Sequence, residues 1–454
     1  MVRKTNAIDM IHGPLWGKIL KFSAFYMLTA VLQHLYSAAD VVVVGRFAGQ
    51  DALAGVGTCT VIVNLFLNFI LGLSAGGTIV LGHALGAKNE DAISKAAHTC
   101  IAVAISGGLA VLFICLAFTK ELMNMIDVPA SVMPEASIYL RIISIGYIPS
   151  LIYNFGASIL RAKGDTKRAL YIVSLSGIVN VLLNVFFVCV LKMGASGVAT
   201  ATVISQVLTA IAMVYILLHE PDATRIFIKK IRFYKEPLLR ILKYGLPSGV
   251  QSAVYSASNI LVQSGINSFG AAAIAGSSVT SSITDFYNVT LNSLYQSAIV
   301  FTSQNYGAVK FDRIKKTILI CVTYIMGLWA IQAAVTHFGG KFIIGLYTPD
   351  DPLAAQWAWR KLASIGYLFG IMGLMNVMSG ALRGMGESFL NMVMSIVGVC
   401  GIRLVWLVTA FPYFGSFESL MACYPISWVG TLILHTIMVI FVYKRQKKKL
   451  CTIG

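Results

Sequence analysis

Long apolar runs alternate with short polar breaks from one end of the chain to the other. Twelve of the runs are long enough to cross a bilayer as helices, which takes about 20 residues each. They fall near 15–43, 53–83, 93–118, 134–160, 168–191, 195–219, 240–268, 271–303, 315–338, 355–381, 389–412 and 418–443. The breaks run from Arg46 to Asp51, Gly86 to Asp91, Lys120 to Pro134 and Lys163 to Arg168. The longest and most basic, His219 to Lys243, leaves six runs on either side.

The halves repeat. Tyr36-Ser37-Ala38-Ala39-Asp40 corresponds to Tyr255-Ser256-Ala257-Ser258-Asn259, and Gly86-Ala87 to Gly307-Ala308. Ile19-Leu20-Lys21-Phe22-Ser23 pairs with Ile241-Leu242-Lys243-Tyr244-Gly245, and Leu160-Arg161-Ala162-Lys163-Gly164-Asp165 with Leu382-Arg383-Gly384-Met385-Gly386-Glu387. A near-constant offset along most of the length signals an internal duplication. Six spans is an even number, so both halves enter from the same side, as parallel repeats do. The expected fold is an all-α polytopic membrane protein with twelve transmembrane helices in two pseudo-symmetric six-helix bundles. Residues 1–218 form the first bundle, 219–240 a basic linker, 241–443 the second bundle and 444–454 a tail.

Composition agrees. Of 454 residues, 57% are hydrophobic and 12% charged, with mean hydropathy +0.79, against about 25% charged in soluble domains. The net charge of +17 suggests a nucleic-acid partner until the cations are placed. With both termini on one side, 27 Lys and Arg fall there and seven on the other, which is the positive-inside pattern of cytoplasmic termini. No nucleic-acid motif accompanies the charge. The run Lys444 to Lys449 reads as a stop-transfer flank rather than a lipid switch. Arg3, Lys4 and the small residues Ser37-Ala38-Ala39 resemble a signal peptide, but the apolar run is too long for one, so a retained helix is expected. Eight scattered cysteines show no metal, haem or disulfide spacing, and no metal or organic cofactor is expected.

Against this apolar background, carboxylates within spans stand out. Asp40 in the first run and Asp285 in the eighth lie well inside. A charge at the bilayer centre costs about 2.5–3.5 kcal/mol on insertion scales, so it is rare without a function. Each can carry a proton, or hold a sodium ion with neutral oxygen ligands. Asn180 and Asn184, four apart and so on one helical face, are candidate ligands, with Thr202. Interhelical hydrogen bonding is the alternative for the two amides. Asp40 alternatively marks a membrane edge or a helix cap, and Asp285 a structural bond to Asn288. Gln33, Tyr36, Asn154 and Gln251 are further polar positions for contacting a substrate.

Several motifs together resemble the multidrug and toxic compound extrusion (MATE) family, most closely its bacterial DinF- and MepA-like branch. They are Gln33-x-Leu35-Tyr36-x-x-x-Asp40-x-x-x-Val44-Gly45, Leu160-Arg161-Ala162-x-Gly164-Asp165, Gly245-Leu246-Pro247-Ser248-Gly249 and Gln304-Asn305-Tyr306-Gly307-Ala308. The resemblance implies two bundles working as a V-shaped, alternating-access exporter in the bacterial plasma membrane. It implies export of small amphipathic, often cationic drugs in exchange for inward H+ or, second, Na+. It places the coupling role on Asp40, joined by Asn180, Asn184 and Thr202, and matches the helix-8 aspartate to Asp285. Membrane lipids are the expected surroundings, and a monomer the expected state. Two departures matter: Asn184 stands where the family often has Asp, and Phe25 where it often has a proline. The first leaves Asp40 to carry the charge of its half alone. The second removes a proline-dependent bend from helix 1.

Two other readings compete with this one. A flippase for a lipid-linked precursor of the same superfamily needs Arg and Lys inside its cavity to hold pyrophosphate. Only Arg403, and at most Arg141, read as intramembrane. A receptor or membrane enzyme needs a soluble domain or a motif such as HExxH or GxSxG, and neither is present.

Overall fold

The computed structural model describes residues 7–47, 50–126, 128–129 and 132–451. Arg3 and Lys4, the Ala48-Gly49 part of the first break and the last three residues of the tail lie outside the described residues. Among the described residues every regular element is helical. In the first half these are α1 (Trp16–Phe47), α2 (Gln50–Gly86), α3 (Glu90–Ala117), α4 (Thr119–Asn124), α5 (Met133–Ile145), α6 (Tyr147–Ala162), α7 (Thr166–Asn184) and α8 (Gly194–Leu218). The second half holds α9 (Lys235–Asn267), α10 (Ala271–Gly307), α11 (Phe311–Ala334), α12 (Gly340–Tyr347), α13 (Pro352–Ile365), α14 (Phe369–Gly384), α15 (Ser388–Ser395), α16 (Ile402–Phe414) and α17 (Phe417–Cys451). Lys235 to Arg240, read as linker, already belong to α9.

Nine spans among the described residues are long and apolar enough to cross a membrane, and α5 with α6 makes a tenth bent by 43°. The bend falls at Gly146, just before Pro149, whose ring collides with the carbonyl four residues back and which lacks an amide hydrogen. The two remaining rods, α9 and α10, are 33 and 37 residues long but carry many Ser, Thr, Asn and Gln. Twelve apolar spans were expected; these two are long enough but too polar to pass on apolarity. Their polar side chains are partly spent on their own backbones, as where Ser281 donates to Ser277 O and Ser256 to Ser252 O.

The repeat reappears in the backbone. Gly164 and Gly386 have φ of 85° and 84°, and Lys88 and Val309 of 54° and 56°. Each closes a helix with the same long-reach bond. Asp165 N reaches Leu160 O at 2.9 Å and Glu387 N reaches Leu382 O at 3.0 Å; Asn89 N reaches Ala84 O at 3.1 Å and Lys310 N reaches Asn305 O at 2.8 Å. These are left-handed C-caps in equivalent places.

The chain separates into two compact units. The first is Leu28–Gly249 with the short segment ending at Ile8; the second is Asp9–Met27 with the chain from Val250 onward. Thus α1 and α9 are each divided between units. In the first unit, Gly72 and Gly76 of α2 meet Gly245 and Gly249 of α9. A Cβ on Gly76 would lie 2.4 Å from Ile241 O, and one on Gly72 2.5 Å from Gly249 N. Paired small-xxx-small stripes let two backbones touch, the packing that holds helices where lipid removes the hydrophobic drive. Around them Leu81, Ala97, Cys100, Phe155 and Met213 form the core. In the second unit Phe22 stacks edge-on against Phe301 at 5.8 Å, and Ser23 shares a 2.8 Å hydrogen bond with Ser297.

The first unit also holds an ion network where the α6–α7 turn meets the segment after α8. Lys163 bonds Glu220 closely and reaches Asp222 at 2.6 Å and Thr224 at 3.2 Å, while Arg168 bonds both Asp165 and Glu220. Glu220 and Asp165 are fully buried. Burial works to raise the Asp222 pKa, but hydrogen bonds from Lys163 and Thr224 and the Lys163 charge outweigh it and hold it below the ordinary 3.8.

Two outcomes follow. Gly76→Ala is expected to cost about 1–3 kcal/mol, because backbone rather than a flexible side chain must move. Thermal unfolding in detergent checks this against Gly17→Ala, where nothing lies within 4 Å; equal losses would sink the close-contact account. A carboxylate with a depressed pKa stabilises above its unfolded value and loses that contribution as pH falls through the folded one. The wild-type melting temperature should therefore fall more steeply below pH 3.8 than that of Asp222→Asn. Parallel curves would refute the contribution.

Candidate functional site

Asp40 lies half-buried on the second part of α1, within the first unit. Its Oδ1 accepts a close hydrogen bond from Asn184 Nδ2. The same Nδ2 reaches Asn180 Oδ1 at 3.3 Å, and Asn180 Nδ2 donates to Ser205 Oγ at 3.3 Å. Ser205 donates on to Thr202 O at 2.8 Å. Asp40, Asn180, Asn184 and Thr202 are therefore brought together as one chain of polar groups across α1, α7 and α8, without Asp285. Thr202 enters through its carbonyl, with no hydroxyl bond to the cluster among the described residues, and the link to it is Ser205, which sequence reasoning did not single out. Its sign in the sequence is its place on α8, three residues past Thr202 and four before Thr209, whose hydroxyl bonds back to Ser205 O at 2.7 Å.

Local structure explains why Asn184 can reach. A π-helical turn, Val185–Val190, begins directly after it, and such widened turns re-aim side chains and gather at functional sites. One turn before Asp40, Tyr36 donates to Ser174 O at 3.1 Å, and its ring fills the space beside Gly177, where a Cβ would stand 1.7 Å from Tyr36 Cε2. Tyr36 thus fixes α1 on α7 and positions Asp40. Asn184 Oδ1 is buried without a hydrogen-bond partner, so the cluster keeps an unused acceptor beside the carboxylate.

The other candidates lie apart. Gln33 is exposed on α1. Asn154 turns back onto its own helix, donating to Ser150 O at 2.9 Å. Gln251, in the second unit, is buried, accepts from Arg383 Nη2 at 2.7 Å and from Asn391 Nδ2 at 3.2 Å, and donates to Tyr255 OH at 3.2 Å. Asp285, also in the second unit, is exposed on α10 and lines a cavity of about 430 Å³ together with Asn288, Lys361 and Arg403.

That cavity corrects the sequence reading on one point. Lys361 is one of the seven cations counted on the side away from the termini, yet it is 5% exposed, inside the span Pro352–Gly384. Its ammonium donates to Ser277 Oγ at 2.6 Å, Ser281 Oγ at 3.1 Å and Ser277 O at 3.2 Å. The signal was available: Ala354, Ala358, Leu362 and Ile365 are buried at helical spacing, and Lys361 falls on their face. Arg383 and Arg403 are buried too, at 6% and 5%. The second unit therefore carries more buried cations than Arg403 alone. Burying each costs several kcal/mol before partners are counted.

With this geometry in hand, the MatE family model matches twice, over residues 26–186 and 247–409, once in each repeat. The chain belongs to the MatE family. Among curated relatives it is similar to the probable multidrug resistance protein YoeA of Bacillus subtilis, 26% identical over 444 residues and 95% of each chain. It is also similar to the multidrug export protein MepA of Staphylococcus aureus, 19% identical over 88% of each. Among solved structures, a MATE in complex with MaL6 superposes with a TM-score of 0.92 at 19% identity, covering 98% of this chain and all of the other. An outward-facing multidrug resistance MATE transporter of the MOP superfamily gives 0.90 at 19% identity, with the same coverage. The fold is the twelve-helix MATE fold of a multi-pass membrane protein.

A double-mutant cycle tests the central pair. Asp40→Ala and Asn184→Ala should couple by about 1.5 kcal/mol or more in thermal stability, as a charge-assisted bond does. Ordinary interhelical bonds in membranes average about 0.6 kcal/mol. A coupling near zero would remove the bond as a feature of the folded unit.

Proposed function

We propose that this MatE protein is a secondary active multidrug exporter, moving small amphipathic compounds outward in exchange for inward H+ or, second, Na+, by alternating access. The observation that carries the reading is Asp40: a carboxylate inside a membrane-spanning bundle, held by the neutral amide of Asn184. A carboxylate without a fixed cation can take up and release a proton, or a small cation, as the site changes its access. Moving one charge down the membrane potential supplies about 2.3 kcal/mol per 100 mV, so a single group suffices to drive a gradient. The names of YoeA and MepA support the substrate class, and the family supports transport rather than catalysis. We further infer a plasma-membrane location with cytoplasmic termini, from the large excess of Lys and Arg on the side of the termini.

Proton coupling is favoured over sodium. A sodium site wants several oxygens at fixed distance, whereas Asn184 turns its nitrogen to Asp40 and Thr202 offers no hydroxyl to the cluster. The flippase reading gains one observation, the buried Lys361 and Arg403, and it stays second.

Ethidium efflux from proteoliposomes decides. Wild type is expected to move dye under an imposed proton gradient, with a Na+ gradient giving little, and Asp40→Asn to insert normally but lose gradient-driven movement. Sodium-only efflux would overturn the coupling assignment. Undiminished efflux by Asp40→Asn would overturn the role of Asp40.

A further inference from the structure

The repeat that builds the Asp40 pair builds a second one. In the first unit Asn184 donates to Asp40, 144 residues earlier; in the second Arg403 donates to Asn259 at 2.9 Å, again 144 residues earlier. Asn259 is the repeat partner of Asp40, and Arg403 stands at the same offset from Asn184. The contact is kept and its charge is reversed. One unit sets a carboxylate against an amide; the other sets a guanidinium against an amide. A π-helical turn accompanies each, Val185–Val190 after Asn184 and Ile396–Gly401 before Arg403.

Arg403 and Lys361 line the same cavity. The partners of Arg403 are uncharged: Nε donates to Ser427 Oγ at 3.2 Å, and the guanidinium lies 4.5 Å from the Tyr424 ring centre. Its Nη2 donates no hydrogen bond among the described residues. Lys361 is held by serine oxygens and attracted electrostatically by Asp285. Asp285 is the one acidic side chain among the lining residues, so the lining carries one more positive charge than negative. Phe369, Met372, Met375 and Trp428 supply an adaptable apolar wall. A planar fork, a flexible ammonium and an apolar wall are the groups that hold an oxyanion on an apolar body.

We propose that the cavity of the second unit binds the oxyanion of an amphipathic organic solute between Lys361 and Arg403, so that this transporter takes anionic compounds as well as cationic ones. The proposal rests on the transport reading but adds the opposite sign of charge. If the two cations served packing alone, the cavity would show no preference for an anion.

The test is equilibrium binding, read without any gradient. Purified full-length protein in phosphatidylcholine nanodiscs is titrated with carboxyfluorescein by fluorescence anisotropy, with ethidium run in parallel. Wild type is expected to bind carboxyfluorescein saturably. Arg403→Gln and Lys361→Gln should each weaken it about tenfold or more, the usual scale for removing a buried charge partner. Asp285→Asn should tighten it, and Arg403→Lys should retain more affinity than Arg403→Gln. Absence of saturable binding to wild type overturns the proposal, whether or not any variant folds. Equal affinity in wild type and both Gln variants overturns it as well. Saturable binding by a protein that fails to move ethidium under either gradient supports the anion site while refuting the efflux reading, so the two failures are distinct. Repeating the titration in phosphatidylglycerol discs separates two sources of the oxyanion. Loss of probe binding there marks a lipid headgroup as the occupant, and undiminished binding marks a soluble solute; both support an oxyanion site.

Discussion

The burial of charge inside membrane-spanning bundles is the constraint on which the rest depends. Each such charge must be met by a partner, because desolvation costs several kcal/mol. At the α6–α7 turn that partner is an opposite charge, and Lys163, Arg168, Asp165, Glu220 and Asp222 form a network that neutralises itself. Within the spans the partners differ. Asp40 is met by an amide, Lys361 by serine oxygens with the Asp285 carboxylate lining the same cavity, Arg403 by an amide and a hydroxyl, and Arg383 by Gln251 and Tyr295. Neutral partners lower the cost of burial without cancelling the charge. That is the difference between a staple and a site.

Such pairs work only if the helices that carry them are held in register, and small residues do this here. Gly72 and Gly76 bring α2 onto α9, and Gly177 admits the ring of Tyr36. A hydrogen bond between α1 and α7 has a narrow range of useful distances, so the ring that seats α1 matters to Asp40 one turn away.

Much of this could be read in the chain. The bilayer imposes a length on every span, so the runs were countable, and the offset that aligns the halves foretold the matched caps at Gly164 and Gly386. Asp40, Asn180 and Asn184 were visible because a polar residue in an apolar run is conspicuous. Lys361 was less conspicuous, because it lies near the more polar start of its run, and only its spacing with Ala354, Ala358, Leu362 and Ile365 marks its face. Ser205 was hidden by being one serine among many. The fixation of Tyr36 beside Gly177 depends on a tertiary contact that no local pattern encodes. In α9 and α10, Gln251 and Asp285 apart, the polar residues were too evenly spread to stand out, and only packing shows which of them turn inward.

The division of α1 at Met27 and of α9 at Gly249 decides how such a chain can be cut. Each unit is completed by the opening half-helix of the other repeat: the second by the start of α1, the first by the start of α9. This is a domain swap enclosed within one polypeptide. A chain severed in the linker before α9 yields two fragments, neither of which contains a complete unit.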